Sequence, residues 1–149
     1  MKGIIVQTLT ALMSSLGFSL TYRLRRRLLL PAAVGGLCGR FIYLFCAWRM
    51  AGVFTPCLAA SAVSALYAEI MARVFKAPVT VFFLPAVVPL IPGSSLYYAM
   101  SAAVRGDWSA ARSYGALTVM YSLAISAGMS LVWAASVMLA RTRHLLRNR

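Results

Sequence analysis

Long apolar stretches separated by short basic blocks are the feature that most constrains this chain. Apolar residues make up 62% of its 149 residues and charged residues only 11%, whereas soluble domains have about 45–50% and about 25%. A soluble fold of this size could not bury so much apolar surface, so part of it has to face lipid. The pattern excludes an ordinary soluble enzyme, a disordered tail and a disulfide-stapled secreted module.

Five stretches are long and apolar enough for transmembrane helices, which need about 20 residues each. We therefore predict an all-α integral membrane protein with one domain over residues 1–149, because no linker or repeat divides the chain. The first span is expected to be retained rather than cleaved, since its basic block follows the apolar run instead of preceding it. The approximate spans are 4–22, 28–48, 55–75, 79–104 and 113–140.

The basic residues predict an orientation in the membrane. The formal net charge of +13 would also suit a nucleic-acid partner, but the charges stand in short blocks between apolar stretches, as the positive-inside rule requires. With five spans, ten Lys and Arg residues fall on one side and four on the other. We therefore expect an outside N-terminus, a cytoplasmic C-terminus and no binding of nucleic acid.

The stretch FFLPAVVPLIPGSSLYYAM, residues 82–100, contains three prolines within eight residues, followed by a glycine. Proline removes a helical hydrogen bond and clashes with the preceding turn, so the fourth span should be broken there. The flanking segments 79–88 and 94–104 would each be about 15 Å long as helices, about half of the hydrocarbon layer. We therefore expect the break near the bilayer midplane, where discontinuous helices commonly form transporter sites.

A helix broken at that depth could present its second half to a substrate. Ser94 is placed to cap this half-helix, whose first N–H groups carry a partial positive charge that suits a carboxylate. Gly93 is expected to provide the backbone freedom for a sharp turn or a close approach to the ligand. The alternative is a kinked packing helix that binds nothing.

Arg40 and Glu69 are charged residues within predicted spans. Arg40 lies near the centre of the second span, where a charge costs at least about 2.5–3.5 kcal/mol and normally faces an interior or a water path. It could pair with an anionic substrate, or it could snorkel outward or bind backbone carbonyls. Glu69 could couple transport to protons, or it could form a local ion pair with Arg73 one turn later.

Small residues recur four positions apart in three spans, a spacing typical of close packing between membrane helices. The three sets are Gly35 and Gly39; Ala60, Ser64 and Ala68; and Ser122, Ser126 and Ser130. The serine set could instead line a conduit.

No Ser/His/Asp set, carboxylate pair, metal motif or phosphate loop is visible in the sequence. The sequence therefore predicts no enzyme activity, no cofactor and no metal site.

The segment PVTVFFLPAVVPLIPGSSLYYAM, residues 78–100, resembles the signature of the threonine/serine exporter family, in its C-terminal five-helix half. The surrounding layout is similar over most of the chain: a basic first loop, a glycine-rich second helix, the PLIPG helix, a short polar loop and a long last helix. A chain of this length looks like the small subunit of the split form. The resemblance implies a larger homologous membrane subunit that supplies the other five helices.

The resemblance also implies export of small carboxylates: threonine and serine in the fused form, and succinate-like dicarboxylates in at least some split pairs. Arg40 as a substrate-binding residue is inferred from its depth in the span, and Glu69 as a weaker candidate for proton coupling. The residues that carry the family pattern, and are therefore implied to bind substrate, are Pro89, Pro92, Gly93, Ser94, Ser95 and Tyr97.

The leading hypothesis is therefore a subunit of a bacterial inner-membrane exporter, with membrane lipid, a small substrate and a larger subunit as its partners. An odd number of spans would let two homologous units form an inverted pair with the substrate between them. A second hypothesis is a non-transporting scaffold that stabilises the larger subunit. A third, a membrane enzyme acting on lipid, lacks a catalytic constellation.

Overall fold

The computed structural model describes residues 2–49 and 52–147, which form helices joined by short turns and contain no strand. The all-helical prediction is confirmed for this part of the chain. Arg149 of the basic tail lies outside the described residues. The elements are α1 (Lys2–Thr21), α2 (Arg26–Arg49), α3 (Phe54–Phe75), α4 (Val79–Val87), a 3₁₀ turn (Val88–Leu90), α5 (Gly93–Val104) and α6 (Trp108–Arg147).

Three helices are long and apolar enough to cross a membrane: α2, α3 and the Trp108–Leu139 part of α6. The pair Val79–Leu90 and Gly93–Val104 makes a fourth if it is counted as one span, bent by 53°. The first predicted span contains a shorter apolar helix, Ile5–Thr21. The described residues therefore provide three or four candidate spans, and the count of five stays a prediction.

The prolines determine how the fourth predicted stretch is divided. Pro89 cannot donate an N–H to the carbonyl of Pro85, and Pro92 cannot donate one to the carbonyl of Val88. The Val88 carbonyl instead accepts a hydrogen bond from the Ile91 N–H at 3.2 Å, which tightens the chain into the 3₁₀ turn. The depth of this division in a bilayer stays a prediction.

The carbonyl of Pro85 finds its hydrogen-bond donor on α1. The Oγ of Ser15 donates to it at 2.9 Å, and Ser15 is fully buried. Because the interior of a membrane protein offers little water, a backbone carbonyl that loses its helical donor has to find another one within the protein. Ser15 meets this need and fixes α1 against α4.

The glycine pair on α2 lets α2 approach its neighbours closely, as the spacing predicts. Gly35 and Gly39 are both buried. A Cβ at Gly35 would lie 3.0 Å from the Cβ of Ala86, and a Cβ at Gly39 would overlap the Oγ of Ser64 on α3. The packing role of this pair, and of the matching small residues on α3, is therefore confirmed.

The serine set on α6 is a different case. Ser122, Ser126 and Ser130 are exposed, and the first two donate to backbone carbonyls one turn earlier at 2.9 and 2.8 Å. Within the described residues, these serines therefore lie on the outer surface of the helix bundle and not in its interior. Gly128 is one of the α6 residues that pack against α3 instead, since a Cβ there would lie 2.7 Å from the carbonyl oxygen of Leu58.

The last helix also begins before the predicted span 113–140. Asp107 accepts a hydrogen bond from the Ala110 N–H at 3.0 Å, which satisfies one of the N–H groups left free at a helix start. This cap lets α6 begin at Trp108. The polar segment before the last span is therefore mostly helix rather than loop.

Substituting Gly128 should separate α3 from α6. Gly128→Ala brings a methyl group against backbone that cannot rotate away, and we expect it to destabilise the protein by about 1–3 kcal/mol. Gly115→Ala is the matched control on the same helix, because a Cβ there meets nothing within 4 Å, and it should leave stability unchanged or raise it by up to about 1 kcal/mol. Thermal unfolding in detergent measures both. Equal midpoints for the two variants would contradict the contact.

Removing the Ser15 hydroxyl should leave the Pro85 carbonyl without a donor. We expect Ser15→Ala to cost about 1–2 kcal/mol, the range for hydrogen bonds between membrane helices and for unsatisfied buried acceptors. Ser14→Ala, at the exposed neighbouring position, should cost little. The measurement is the free energy of unfolding in mixed micelles, and a neutral Ser15→Ala would mean that another group satisfies the carbonyl.

Candidate functional site

A cavity of about 370 Å³ opens beside the division between α4 and α5. Its volume falls in the range of small-molecule sites, about 300–1,000 Å³. Residues from α2, the proline segment, α5 and α6 line it. The predicted site residues that it brings together are Arg40, Pro89, Pro92, Ser94 and Ser95.

The bend in the chain brings these residues to one place. Without it, α4 and α5 would continue as one rod, with the N–H groups at the start of α5 used inside that rod. The 53° bend exposes a new helix start. Ser94 and Ser95 in its first turn consequently line the same cavity as Arg40 on α2.

The first turn of α5 is not capped in the way that was predicted. The N-cap position is Pro92, and no side chain caps it. Ser94 lies inside the helix because α5 begins at Gly93, so the capping role expected of Ser94 is wrong. The hydroxyl that bonds locally is that of Ser95, which donates to the Pro92 carbonyl at 3.1 Å.

The N–H groups of this first turn remain available. The first helical hydrogen bond runs from the Leu96 N–H to the Pro92 carbonyl, at 3.1 Å. The amides of Ser94 and Ser95 precede it, so they have no acceptor within the helix. Such groups attract anions at a helix N-terminus.

Gly93 and Tyr97 are predicted site residues that do not line the cavity. A Cβ at Gly93 would meet nothing within 4 Å, and its φ is not in the left-handed region. The backbone at Gly93 therefore does not require glycine, contrary to the expectation of a sharp turn or a close approach there. Tyr97 is 67% exposed, and its ring lies 5.6 Å from that of Tyr98.

Arg40 is half-buried and is bound by neutral groups. Its Nη2 donates to the Oε1 of Gln7 at 3.1 Å. Its guanidinium carbon lies 5.1 Å from the centroid of the Tyr43 ring, a cation–π distance. These contacts hold the side chain in position without neutralising its charge.

The acidic side chains of the chain are both engaged elsewhere. There are two of them: Asp107 caps α6, and Glu69 accepts a hydrogen bond from Nη2 of Arg73 at 2.9 Å. Glu69 does not line the cavity beside α5. It lines a separate and largely apolar cavity of about 230 Å³ between α3, α4 and α6. The local ion pair expected for Glu69 is therefore present, and its role in proton coupling stays a prediction.

Four tyrosines in the cavity wall escaped the sequence analysis. The hydroxyls of Tyr43 and Tyr121 lie 3.0 Å apart and join α2 to α6. The rings of Tyr98 and Tyr114 lie 5.5 Å apart and join α5 to α6. Tyr43 does follow Arg40 by three residues, which places both on one helix face. Nothing in the sequence, however, indicates which tyrosines of different helices would meet.

The arrangement is suited to binding an anion. The cavity combines a guanidinium, first-turn amides and tyrosine hydroxyls, and no acidic side chain lines it. A carboxylate could receive paired hydrogen bonds from the guanidinium, while the helix start offers further N–H donors.

Comparison with known proteins gives a family. The family model described as threonine/serine exporter, ThrE, matches residues 7–135, which include every cavity-lining and predicted site residue. No curated protein and no solved structure matches the chain. A match of this extent, together with helices apolar enough to span a membrane, identifies a membrane transport protein, and the chain belongs to the threonine/serine exporter family.

Proposed function

We propose that this chain is one subunit of a bacterial inner-membrane exporter and that the cavity beside α5 binds the exported small carboxylate or amino acid. The observation that carries the proposal is the position of Arg40. Its charge has no acidic partner among the described residues. Arg40 and the first turn of α5 line the same cavity. A buried or half-buried charge in a membrane protein is normally compensated or used.

The charge of the cavity favours a dicarboxylate such as succinate over threonine or serine. One carboxylate would bind Arg40, and the second would find the amides of Ser94 and Ser95 or the tyrosine hydroxyls. A zwitterion would also need an acceptor for its ammonium group. The wall offers only hydroxyls, backbone carbonyls and aromatic faces for that purpose.

The proposal includes the five-span arrangement, with the break near the midplane, the N-terminus outside and the C-terminus in the cytoplasm. In support, the basic α1–α2 turn and the α3–α4 turn, which contains Lys76, line one common surface cavity. They therefore lie at the same end of the helix bundle. The positive-inside rule assigns such an end to the cytoplasm.

A larger homologous subunit is proposed to complete the transport path. In the candidate span of α6, only 17% of the most apolar 18-residue segment is buried against the rest of the protein. The exposed surface includes the serine set and many apolar residues, which either lipid or a second subunit could cover. An inverted pair of five-helix units would place a substrate between them.

The alternative is that this chain only stabilises the larger subunit. Efflux from vesicles that contain each subunit alone, and both together, separates the two. A transport role requires both subunits and a loss of efflux when the cavity of this chain is altered. A scaffold would retain efflux after every cavity substitution that preserves assembly.

Arg40→Gln is the sharpest test of the cavity. The substitution removes the charge but keeps a hydrogen-bond donor, so we expect dicarboxylate efflux to fall about 10- to 100-fold, the equivalent of one charged hydrogen bond. Efflux of a zwitterionic amino acid should fall less. Arg49→Gln is the control on the same helix, since Arg49 does not line the cavity. Efflux rates are compared at matched abundance of the variants in the membrane. Normal dicarboxylate efflux by Arg40→Gln would show that the cavity is not part of the transport path.

The topology is tested by labelling single cysteines. In a background without Cys38, Cys46 and Cys57, cysteines replacing Arg26 and Ser109, both at exposed positions, should react with a membrane-impermeant thiol reagent from opposite sides. Position 109 should react from outside, because the positive-inside rule places the block around Arg26 in the cytoplasm. Labelling of both from the same side would contradict the orientation and the inverted pair.

A further inference from the structure

We propose that a second site at the opposite end of α4 binds an anionic phospholipid, with the phosphate in a basic cavity and an acyl chain in an adjoining apolar groove. The site is separate from the cavity that contains Arg40. The proposal does not depend on which substrate the chain exports, or on whether it exports one.

The basic cavity measures about 520 Å³ and lies between the α1–α2 turn and the α3–α4 turn. Its wall contains four basic side chains and no acidic one. Four positive charges around one depression attract a group that carries net negative charge. The four residues are Arg23, Arg25, Arg27 and Lys76.

These charges have no partner in the described part of the chain. The ion pair found there joins Arg73 to Glu69, and the remaining acidic side chain, Asp107, caps α6 at the α5–α6 turn. The hydrogen bonds and ring contacts that engage arginine side chains in residues 5–49 and 52–139 involve other arginines. The four positive charges of the basic cavity are therefore not neutralised by an acidic side chain of the described residues.

Two of the basic residues occupy backbone positions that normally favour glycine. Arg23 has φ 51° and Lys76 has φ 50°, in the left-handed region where helices commonly end in glycine. Lys76 is the C-cap residue of α3. A basic side chain at such a position is not explained by backbone preference.

An apolar groove continues from the basic cavity between α1 and α4. It has a volume of about 180 Å³, and Phe18, Tyr22 and Leu84 line it. Leu24 and Val81 line both the groove and the basic cavity, so the two adjoin. A soluble phosphate would fill only the basic part. An amphiphile with a phosphate and an acyl chain matches both parts, and this match favours a phospholipid.

The surplus of positive charge selects among phospholipids. A phosphatidylcholine headgroup carries a choline cation that offsets its phosphate, whereas phosphatidylglycerol keeps a full negative charge. Basic clusters beside membrane helices bind anionic headgroups for this reason. We therefore infer a preference for phosphatidylglycerol or a lipid of similar charge.

The test uses the full 149-residue chain in a nonionic detergent and follows its thermal unfolding midpoint. Phosphatidylglycerol at about a hundredfold excess over its Kd should raise the midpoint saturably, by about 5–10 °C. Phosphatidylcholine with the same acyl chains, and soluble glycerol phosphate, should leave it nearly unchanged. An equal shift with glycerol phosphate would mean a free-anion site, and an equal shift with phosphatidylcholine would mean general solvation by lipid. Either result overturns the proposal.

Paired variants locate the site. The double variant Arg25→Gln/Lys76→Gln should weaken phosphatidylglycerol binding at least about tenfold, because it removes two of the charges. Both side chains are exposed, so the substitutions should not disturb packing. The double variant Arg105→Gln/Arg112→Gln, away from the basic cavity, removes the same charge and should bind normally. Equal weakening of phosphatidylglycerol binding in the two double variants would contradict the proposed site. Equal binding of short-chain and long-chain phosphatidylglycerol by the wild-type chain would contradict it as well.

Discussion

Every backbone carbonyl that the prolines deprive of a donor has to be satisfied inside the protein, and much of the fold follows from this requirement. Pro89 leaves the Pro85 carbonyl without a helical N–H donor, and the fully buried hydroxyl of Ser15 on α1 donates a hydrogen bond to it. Pro92 leaves the Val88 carbonyl to a 3₁₀ hydrogen bond. The same interruptions create a new helix start at α5. The requirement that fixes α1 against α4 thus also produces the amides that line the candidate site.

The scarcity of acidic residues determines where charge is available. With 15 basic and two acidic residues, most positive charges cannot be neutralised within the chain. Both acids are used locally, Glu69 for Arg73 and Asp107 for the start of α6. Positive charge is consequently left free at Arg40 and around the basic cavity. These two places lie at opposite ends of α4, and the anions proposed for them differ in shape.

The sequence predicted the features that depend on local chemistry and failed where long-range geometry decides. The apolar stretches predicted the helices, and the spacing of Gly35 and Gly39 predicted a packing face. Ser94 was misassigned as a cap because the 3₁₀ turn moves the helix start to Gly93. The periodicity of Ser122 and Ser126 correctly indicated that they share a helix face. It did not indicate that Gly128, on another face of α6, packs against α3. The tyrosine pairs depend on which helices are neighbours, and hydropathy carries no such information.

The pairing of Tyr43 with Tyr121 has a consequence for how the cavity wall responds to a ligand. A hydroxyl both donates and accepts, whereas a carboxylate only accepts, so a carboxylate bound here would accept hydrogen bonds from the tyrosine hydroxyls. A carboxylate that accepts from both hydroxyls would exchange the single hydrogen bond between α2 and α6 for two bonds to the ligand. The contact of α6 with α3 at Gly128 is steric and does not change when that bond does. α6 thus meets α3 through steric packing, α5 through the ring contact of Tyr114 with Tyr98, and α2 through a hydrogen bond that a carboxylate would share.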